Sequence, residues 1–304
     1  MTNTHPLSGV YAAAVTPLRT DYSPDTEAVP GLLEFLAERG SHGVLLFGTT
    51  GEGPSFAPRE RLDVWQSAGE IRKTHPDFHL LAGTGTPSLQ ETIELTQAAF
   101  ERGFDAVVVL PPYYFRSAHE DGLFAWYSLV IQRAVPMGKF LLGYHIPSVS
   151  GVGLSLNLLA RLKEAFPNRF AGLKDSSADI DHARKLGDRF GSQLLVLSGT
   201  DRLFSQALQM SASGCITALA NICSPDLRRV WDAHQRGESD PEAQERLNAA
   251  RRVSESYPPA PPLLKMMLAR RYGFPLWPVR PPLLPLSPET AEKAASEMNA
   301  AVNV

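Results

Sequence analysis

Eight short apolar runs recur along the chain, and they are the feature that most limits what it can fold into. Most are rich in Val, Leu, Ile or aromatic residues and end at Thr, Gly, Pro or Ser, as is typical of strands buried on both faces of a parallel sheet. Between them, apolar residues three or four positions apart predict amphipathic helices, with helix starts indicated at Pro58 and Ser88. The runs are residues 10–16, 43–49, 79–85, 106–111, 140–146, 170–176, 194–199 and 215–220, and the helical segments include 25–39, 58–74, 89–101 and 154–165.

Eight β/α units within about 220 residues match a (β/α)8 barrel better than a doubly wound sheet, which usually has fewer strands. The rest of the chain is predicted as helices separated by the proline-rich segments 257–262 and 275–288. We therefore predict the α/β class, with a (β/α)8 TIM barrel at residues 1–223. Residues 224–304 are predicted as a C-terminal helical extension packed on the barrel, so that the two form a single structural unit.

Composition narrows the possible partners. The 304 residues are 43% hydrophobic and 20% charged with a net charge of −3, as is typical of a globular protein. Lys and Arg are not clustered, so neither nucleic acid nor a membrane is an expected partner.

Residues 1–6 lack the basic and apolar regions of a leader and no long apolar stretch follows, which predicts a soluble, cytoplasmic protein. Cys215 and Cys223 are predicted as small core residues rather than a disulfide or a zinc site.

A single lysine lies near the end of the sixth apolar run, in Gly172-Leu173-Lys174-Asp175-Ser176-Ser177. Strand alternation puts Lys174 and Ser176 on one face, so the ammonium group would project from the end of a buried strand. Burial lowers the pKa of a lysine and leaves a fraction as free amine, which attacks a carbonyl carbon to form a Schiff base. The alternative is a lysine that reaches solvent or pairs with a carboxylate.

Polar residues also close other runs, and in a barrel these strand ends form the active site. Glycine-flanked threonines such as Thr49 and Thr50 are typical both of anion-binding turns and of plain turns. A tyrosine at a strand end is either an acid/base group or an apolar cap. A histidine there is more typical of a hydrogen-bonded structural residue than of a catalyst. The segments are Gly48-Thr49-Thr50-Gly51-Glu52-Gly53, Gly83-Thr84-Gly85-Thr86, Pro111-Pro112-Tyr113-Tyr114 and Tyr144-His145-Ile146-Pro147.

Five motifs together, in this order along nearly the whole chain, resemble the dihydrodipicolinate synthase/N-acetylneuraminate lyase family. The resemblance implies class I aldolase chemistry on pyruvate or another 2-oxo acid, without metal or organic cofactor. It also implies a homotetramer built from dimers. The motifs are Ala13-Ala14-Val15-Thr16-Pro17-Leu18, the Gly-Thr-Thr-Gly-Glu segment ending at Glu52, Pro111-Pro112-Tyr113-Tyr114, Tyr144-X-X-Pro147 and Gly172-Leu173-Lys174-Asp175-Ser176-Ser177.

The same resemblance implies a role for each matching position. Lys174 would form the Schiff base and Tyr144 would act as the general acid/base beside it. Thr49 would connect Tyr144 to Tyr114, which would come from a neighbouring subunit. The substrate-binding residues implied are Thr50 and Gly48 at the pyruvate carboxylate, Gly199 and Ile216 as backbone lining, and Ser176, Asp201 and Thr217 at substrate hydroxyl groups.

Two departures from the family pattern bear on the substrate. Val149 stands where dihydrodipicolinate synthases carry an arginine that binds the carboxylate of the aldehyde, and an isopropyl group cannot replace a guanidinium. Of the acidic pair of N-acetylneuraminate lyases only Asp201 remains. We therefore predict reversible cleavage of a 2-keto-3-deoxy sugar acid, or a related hydroxy-oxo acid, to pyruvate and an aldehyde, or its dehydration. The alternatives are dihydrodipicolinate synthase, which condenses pyruvate with aspartate semialdehyde, and a barrel that binds a 2-oxo acid without turnover.

Overall fold

The computed structural model describes residues 5–302, and its strands close into a parallel barrel in chain order. The strands are β1 Gly9–Ala13, β2 Gly43–Leu46, β3 His79–Gly83, β4 Ala106–Val109, β5 Phe140–His145, β6 Phe170–Asp175, β7 Leu195–Ser198 and β8 Gly214–Thr217. Nearly every strand residue is buried, as expected for strands covered on both faces. The predicted (β/α)8 barrel is confirmed.

Helices follow the strands and continue beyond β8, which confirms the predicted C-terminal helices. They are α1 Val29–Glu38, α2 Pro58–Ala68, α3 Leu89–Glu101, α4 Glu120–Ala134, α5 Pro147–Ser150, α6 Leu156–Ala165, α7 Ile180–Phe190, α8 Phe204–Gln209, α9 Ala220–Gln235, α10 Pro241–Ser256, α11 Ala260–Tyr272 and α12 Pro288–Val302. Short 3₁₀ helices lie at Gly53–Ser55, Gly69–Lys73 and Gly191–Gln193. Among residues 5–302, no helix has the length and apolar character needed to cross a membrane.

The chain divides into two compact units. The first comprises the chain up to Gly9 together with His79–Cys215, and the second comprises Val10–Phe78 and the chain from Ile216 onward. In the first unit, β3 to β7 pair in sequence as parallel neighbours. In the second, β1 pairs with β2, and α10 packs against α9 and α12. The predicted boundary at residue 223 lies inside α9, at a kink where Cys223 leaves the helical conformation and Pro225 follows.

Several elements are shorter than the apolar runs that predicted them. β2 ends at Leu46 because Phe47 adopts a left-handed conformation with φ 56°, which turns the chain although Phe47 itself stays buried. Burial therefore continues past the last strand residue, and apolar character alone overestimates strand length. The two predicted helix starts are confirmed, since α2 begins at Pro58 and the Ser88 hydroxyl accepts the Glu91 N–H at 3.3 Å. Cys215 and Cys223 are buried, as predicted.

Candidate functional site

Lys174 and Tyr144 lie opposite each other on neighbouring strands of the first unit. The Lys174 Nζ donates to the Tyr144 hydroxyl at 3.2 Å and lies 4.3 Å from the centre of the tyrosine ring. Both side chains are buried, with exposed fractions of 3% and 4%. Among residues 5–302, no carboxylate forms an ion pair with Lys174. Within the described residues, Lys174 therefore neither extends into solvent nor pairs with a carboxylate.

An irregularity in β6 sets this pairing. The register between β5 and β6 shifts after Leu141, so that Leu141 pairs with Phe170 but Leu142 pairs with Gly172. Gly172 has φ 159°, and a Cβ there would lie 2.0 Å from the Leu195 carbonyl oxygen of β7. A residue with a side chain would force the strands apart. The bulge therefore requires glycine, and it brings Lys174 level with Tyr144.

Ser176 and Gly199 meet just beyond the ends of β6 and β7. The Ser176 N–H donates to the His145 carbonyl at 2.8 Å, and the Gly199 N–H donates to the Asp175 carbonyl at 2.6 Å. A Cβ at Gly199 would lie 1.9 Å from the Ser176 hydroxyl oxygen, so only glycine leaves room for this serine. Asp201, in the turn that follows, is fully buried. These three predicted residues thus belong to the same unit as Lys174.

Five further predicted site residues lie in the second unit. Gly48, Thr49 and Thr50 follow β2, where Thr49 is exposed and Thr50 is buried. Ile216 and Thr217 end β8 and are both buried. Within the described residues the buried Thr217 hydroxyl has no hydrogen-bond partner. The contacts of these residues with a substrate stay predictions.

A loop and a short helix of the first unit carry exposed predicted residues. Tyr114 is 77% exposed and packs edge-on against Phe115, with ring centres 5.3 Å apart. Its predicted contribution to a neighbouring subunit stays a prediction. Val149 is 61% exposed on α5. A Cβ at Gly151, two residues on, would lie 2.9 Å from the Arg116 Nε, so an arginine side chain does lie against this loop.

His145 belongs to a cluster on the opposite face of the strands from Lys174. Its Nδ1 accepts the Leu154 N–H at 2.9 Å, and its ring stacks on His182 at 4.6 Å with an interplanar angle of 15°. Asp175 lies within 4.8 Å of both histidines. Burial lowers the pKa of His145, opposed by Asp175 and reinforced by His182. The hydrogen bond supports the structural role predicted for this residue.

The same three residues are the group of described side chains that comes nearest to a metal site, but their geometry is unfavourable. Rings stacked nearly parallel keep their nitrogen lone pairs in two separate, nearly parallel planes, whereas a metal ion needs lone pairs that converge on one point. The His145 Nδ1 lone pair is also engaged by the Leu154 N–H. The spacing of His145, Asp175 and His182 in the chain carries no metal signature, so sequence reasoning did not find this cluster.

Sequence reasoning also missed a second buried lysine. Lys265 Nζ donates to Glu52 Oε1 at 2.6 Å, and neither side chain is more than 1% exposed. Burial lowers the pKa of Lys265, while the Glu52 carboxylate opposes the shift. The signal was present in the sequence, since Lys265 is the lone charge in Leu263-Leu264-Lys265-Met266-Met267. Partners distinguish the two buried lysines: Lys265 has a carboxylate and Lys174 has a phenol.

Comparison with known proteins agrees with the predicted fold and family. The profile of the Dihydrodipicolinate synthetase family matches residues 6–301. An uncharacterized DapA-like lyase of Chloroflexus aurantiacus is 40% identical over 293 residues, which cover 95% of this chain and 96% of that protein. A 4-hydroxy-tetrahydrodipicolinate synthase of Thioalkalivibrio sulfidiphilus is 32% identical over 79% of each chain. The crystal structure of dihydrodipicolinate synthase from Agrobacterium tumefaciens matches with a TM-score of 0.87 and 31% identity, covering 96% of this chain and 99% of that one. The chain therefore belongs to the dihydrodipicolinate synthetase family, whose members are lyase- and aldolase-type enzymes.

Proposed function

We propose that this protein is a class I aldolase that holds a 2-oxo acid as a Schiff base on Lys174. The observation that carries the proposal is the buried Lys174 amine, 3.2 Å from the Tyr144 hydroxyl. Only a free amine attacks a carbonyl carbon, and within the described residues no carboxylate forms an ion pair with Lys174. Tyr144 lies within proton-transfer distance of that nitrogen.

The chemistry follows from these two side chains. The Lys174 nitrogen attacks C2 of the 2-oxo acid, and Tyr144 passes a proton to the departing oxygen, which leaves as water. Tyr144 then takes the proton of the C4 hydroxyl while the cationic iminium accepts the electron pair of the C3–C4 bond, so that the bond breaks to an enamine and an aldehyde. Protonation at C3 and hydrolysis release pyruvate and the free lysine. We propose that no metal or organic cofactor takes part, because the iminium itself is the electron sink.

Family membership supports corresponding roles for the other predicted residues. We propose Thr50, with Gly48 and nearby backbone N–H groups, for the carboxylate of the 2-oxo acid. Thr49 and a partner subunit's tyrosine, equivalent to Tyr114, would carry protons to Tyr144 in a homotetramer. Gly199 and Ile216 would line the pocket with backbone.

For the aldehyde half, we propose a neutral, hydroxylated chain, so that the substrate is a 2-keto-3-deoxy sugar acid or a related hydroxy-oxo acid. Val149 is apolar where relatives place an arginine, and Ser176, Asp201 and Thr217 supply polar groups that hydroxyls can satisfy. Dehydration would start from the same Schiff base: Tyr144 takes a proton from C3, and the resulting enamine expels the C4 hydroxyl, which leaves as water after receiving a proton from Tyr144. The second candidate is condensation of pyruvate with aspartate semialdehyde. Relatives named as synthases favour it, as does the Arg116 side chain against Gly151.

One comparison separates these candidates. The kcat/KM for pyruvate release from 2-keto-3-deoxy sugar acids is measured beside the kcat/KM for condensation of pyruvate with aspartate semialdehyde. We expect the first to exceed the second at least about tenfold, a barrier difference of about 1.4 kcal/mol. A higher kcat/KM for the condensation would favour the synthase instead. Binding of pyruvate without turnover in either reaction would support a non-catalytic barrel.

A further inference from the structure

The Glu52–Lys265 ion pair is buried in the second unit, and stability does not account for it. Both side chains are removed from water, Lys265 in the otherwise apolar middle of α11 and Glu52 just after the Thr49–Thr50 turn. Two buried charges lose their hydration, and well-packed apolar residues of the same volume are often at least as stabilising. A pair of this kind is better explained by the geometry that it imposes.

Each polar group of the pair has a second partner in the C-terminal part of the chain. Lys265 Nζ also donates to the Pro278 carbonyl at 2.7 Å, and Glu52 Oε2 accepts the Arg280 N–H at 2.8 Å. The Glu52 carboxylate is therefore held at both oxygens, once by α11 and once by the segment that follows it. Its position is determined by residues more than two hundred positions away in the chain.

The backbone of Glu52 closes the turn that carries the two threonines. Glu52 has φ 57°, a left-handed conformation that residues with a side chain rarely adopt. Its N–H donates to the Thr49 carbonyl at 3.1 Å, and the next N–H, of Gly53, donates to the Gly48 carbonyl at 3.1 Å. A Cβ at Gly53 would lie 2.1 Å from the Phe47 carbonyl oxygen. A shift of Glu52 would thus move Thr49 and Thr50 with it.

Two further buried side chains hold carbonyl groups of the same turn. The Thr16 hydroxyl donates to the Gly51 carbonyl and the Arg61 guanidinium to the Gly53 carbonyl, each at 2.7 Å. Because these carbonyl groups are held by hydrogen bonds, the orientation of the N–H groups in the same turn is also fixed. This is the condition under which a turn binds an anion without first having to reorganise.

We propose that Glu52 and Lys265 are positioning residues, which hold the Thr49–Thr50 turn in the conformation that binds the carboxylate of the 2-oxo acid. Helix α11 of the C-terminal extension thereby sets the affinity of the enzyme for pyruvate. The inference rests on the proposed function, because it takes Thr50 and its neighbouring N–H groups as the carboxylate site. It predicts a change in substrate affinity without a matching change in the chemical step.

The test uses pyruvate and the full chain. The half-saturating pyruvate concentration is obtained from borohydride trapping at Lys174, and kcat and KM come from pyruvate-dependent turnover. Glu52→Gln with Lys265→Gln removes both charges but leaves hydrogen-bonding amides. We expect this double variant to fold, to raise the half-saturating concentration at least about tenfold and to keep kcat at saturation within about threefold. Glu52→Gln alone leaves the Lys265 ammonium buried without a carboxylate, so it should raise the half-saturating concentration at least as much and also lower the free energy of unfolding.

A matched control replaces another ion pair of the same unit, Asp226→Asn with Arg246→Gln, whose atoms lie 2.7 Å apart between α9 and α10. The control should leave pyruvate affinity unchanged. Wild-type affinity in either folded Glu52 variant, or an equal loss in the control, would overturn the proposal. If both Glu52 variants fail to fold, the Glu52–Lys265 ion pair stabilises the protein rather than positioning the turn, and this result would also contradict the proposal. Failure of the proposed function itself looks different, since the unmodified protein would then form no adduct at Lys174.

Discussion

The Lys174 amine donates a 3.2 Å hydrogen bond to the Tyr144 hydroxyl, across the neighbouring strands β5 and β6. The glycine-dependent bulge in β6 fixes this register, so the pair is set by the barrel itself and not by a mobile loop. The proposed nucleophile and the proposed proton carrier therefore lie on strands, within reach of each other before substrate binds. The reactivity proposed for this protein depends on that relationship.

Replacing Tyr144 by phenylalanine should keep the ring against Lys174 and remove the proton carrier. We expect slow Schiff-base formation and a kcat lower by on the order of 10²–10⁴. Tyr127→Phe is the matched control, because this buried tyrosine donates to the Val109 carbonyl at 3.0 Å and has no proposed part in the chemistry. Steady-state and single-turnover rates of the two variants show whether the Tyr144 hydroxyl takes part in the reaction. A Tyr144→Phe enzyme as fast as the control would show that Tyr144 is only an apolar cap.

Assembly should be required for activity if Tyr114 completes the proton path of a neighbouring subunit. Sedimentation measured with activity over a dilution series should show turnover falling as the oligomer dissociates. Tyr114→Phe should lower kcat, whereas Tyr22→Phe, at another exposed tyrosine, should not. Full activity in a monomeric fraction would refute the shared path.

Specificity should respond to charge at position 149. Val149→Arg places a guanidinium at the position where the family resemblance implies one in the synthases, so it should narrow or reverse the proposed preference for sugar acids over aspartate semialdehyde. Arg116→Gln tests whether the arginine that lies against Gly151 already serves this purpose, and we expect the sugar-acid kcat/KM to be unchanged in that variant. A wild-type enzyme that prefers aspartate semialdehyde, and loses this preference with Arg116→Gln, would contradict the inference drawn from Val149.

Acid should destabilise the folded protein partly through His145, whose pKa burial holds below 6.5 in the presence of Asp175 and His182. At a pH between the lowered pKa of His145 in the folded protein and its usual value of 6.5, His145 is protonated in the unfolded chain but not in the folded protein. Stability is therefore lost as the pH falls through this interval. His145→Asn removes the titrating group, so its free energy of unfolding should fall less than that of the wild type between about pH 7 and pH 5. Parallel pH profiles from chemical denaturation would show that His145 is not responsible.

The barrel and the Lys174–Tyr144 pair could be predicted because both depend on local patterns. Apolar runs that alternate with amphipathic helices determine the fold class, and strand ends in a barrel converge on one face. Strand lengths were overestimated because burial continues past the last hydrogen-bonded residue, as at Phe47, whose left-handed backbone ends β2. The apolar character of a residue does not predict its backbone conformation.

Long-range pairing could not be predicted. Glu52 and Lys265 are separated by 213 positions, and neither the Gly-Thr-Thr-Gly-Glu motif nor the apolar context of Lys265 identifies the other partner. The stacking of His145 on His182 likewise depends on how α7 packs against β5 and β6. A lone lysine in an apolar run therefore predicts burial, and the three-dimensional structure is needed to show whether its partner is a phenol, as at Lys174, or a carboxylate, as at Lys265.

Covalent trapping tests the central claim most directly. The protein is incubated with pyruvate and borohydride, and the modified peptide is identified by mass spectrometry. We predict one reduced pyruvate per chain, on Lys174 and not on the ion-paired Lys265, and no adduct in a folded Lys174→Ala variant. An adduct on another lysine, or none in the folded wild-type protein, would contradict the Schiff-base mechanism.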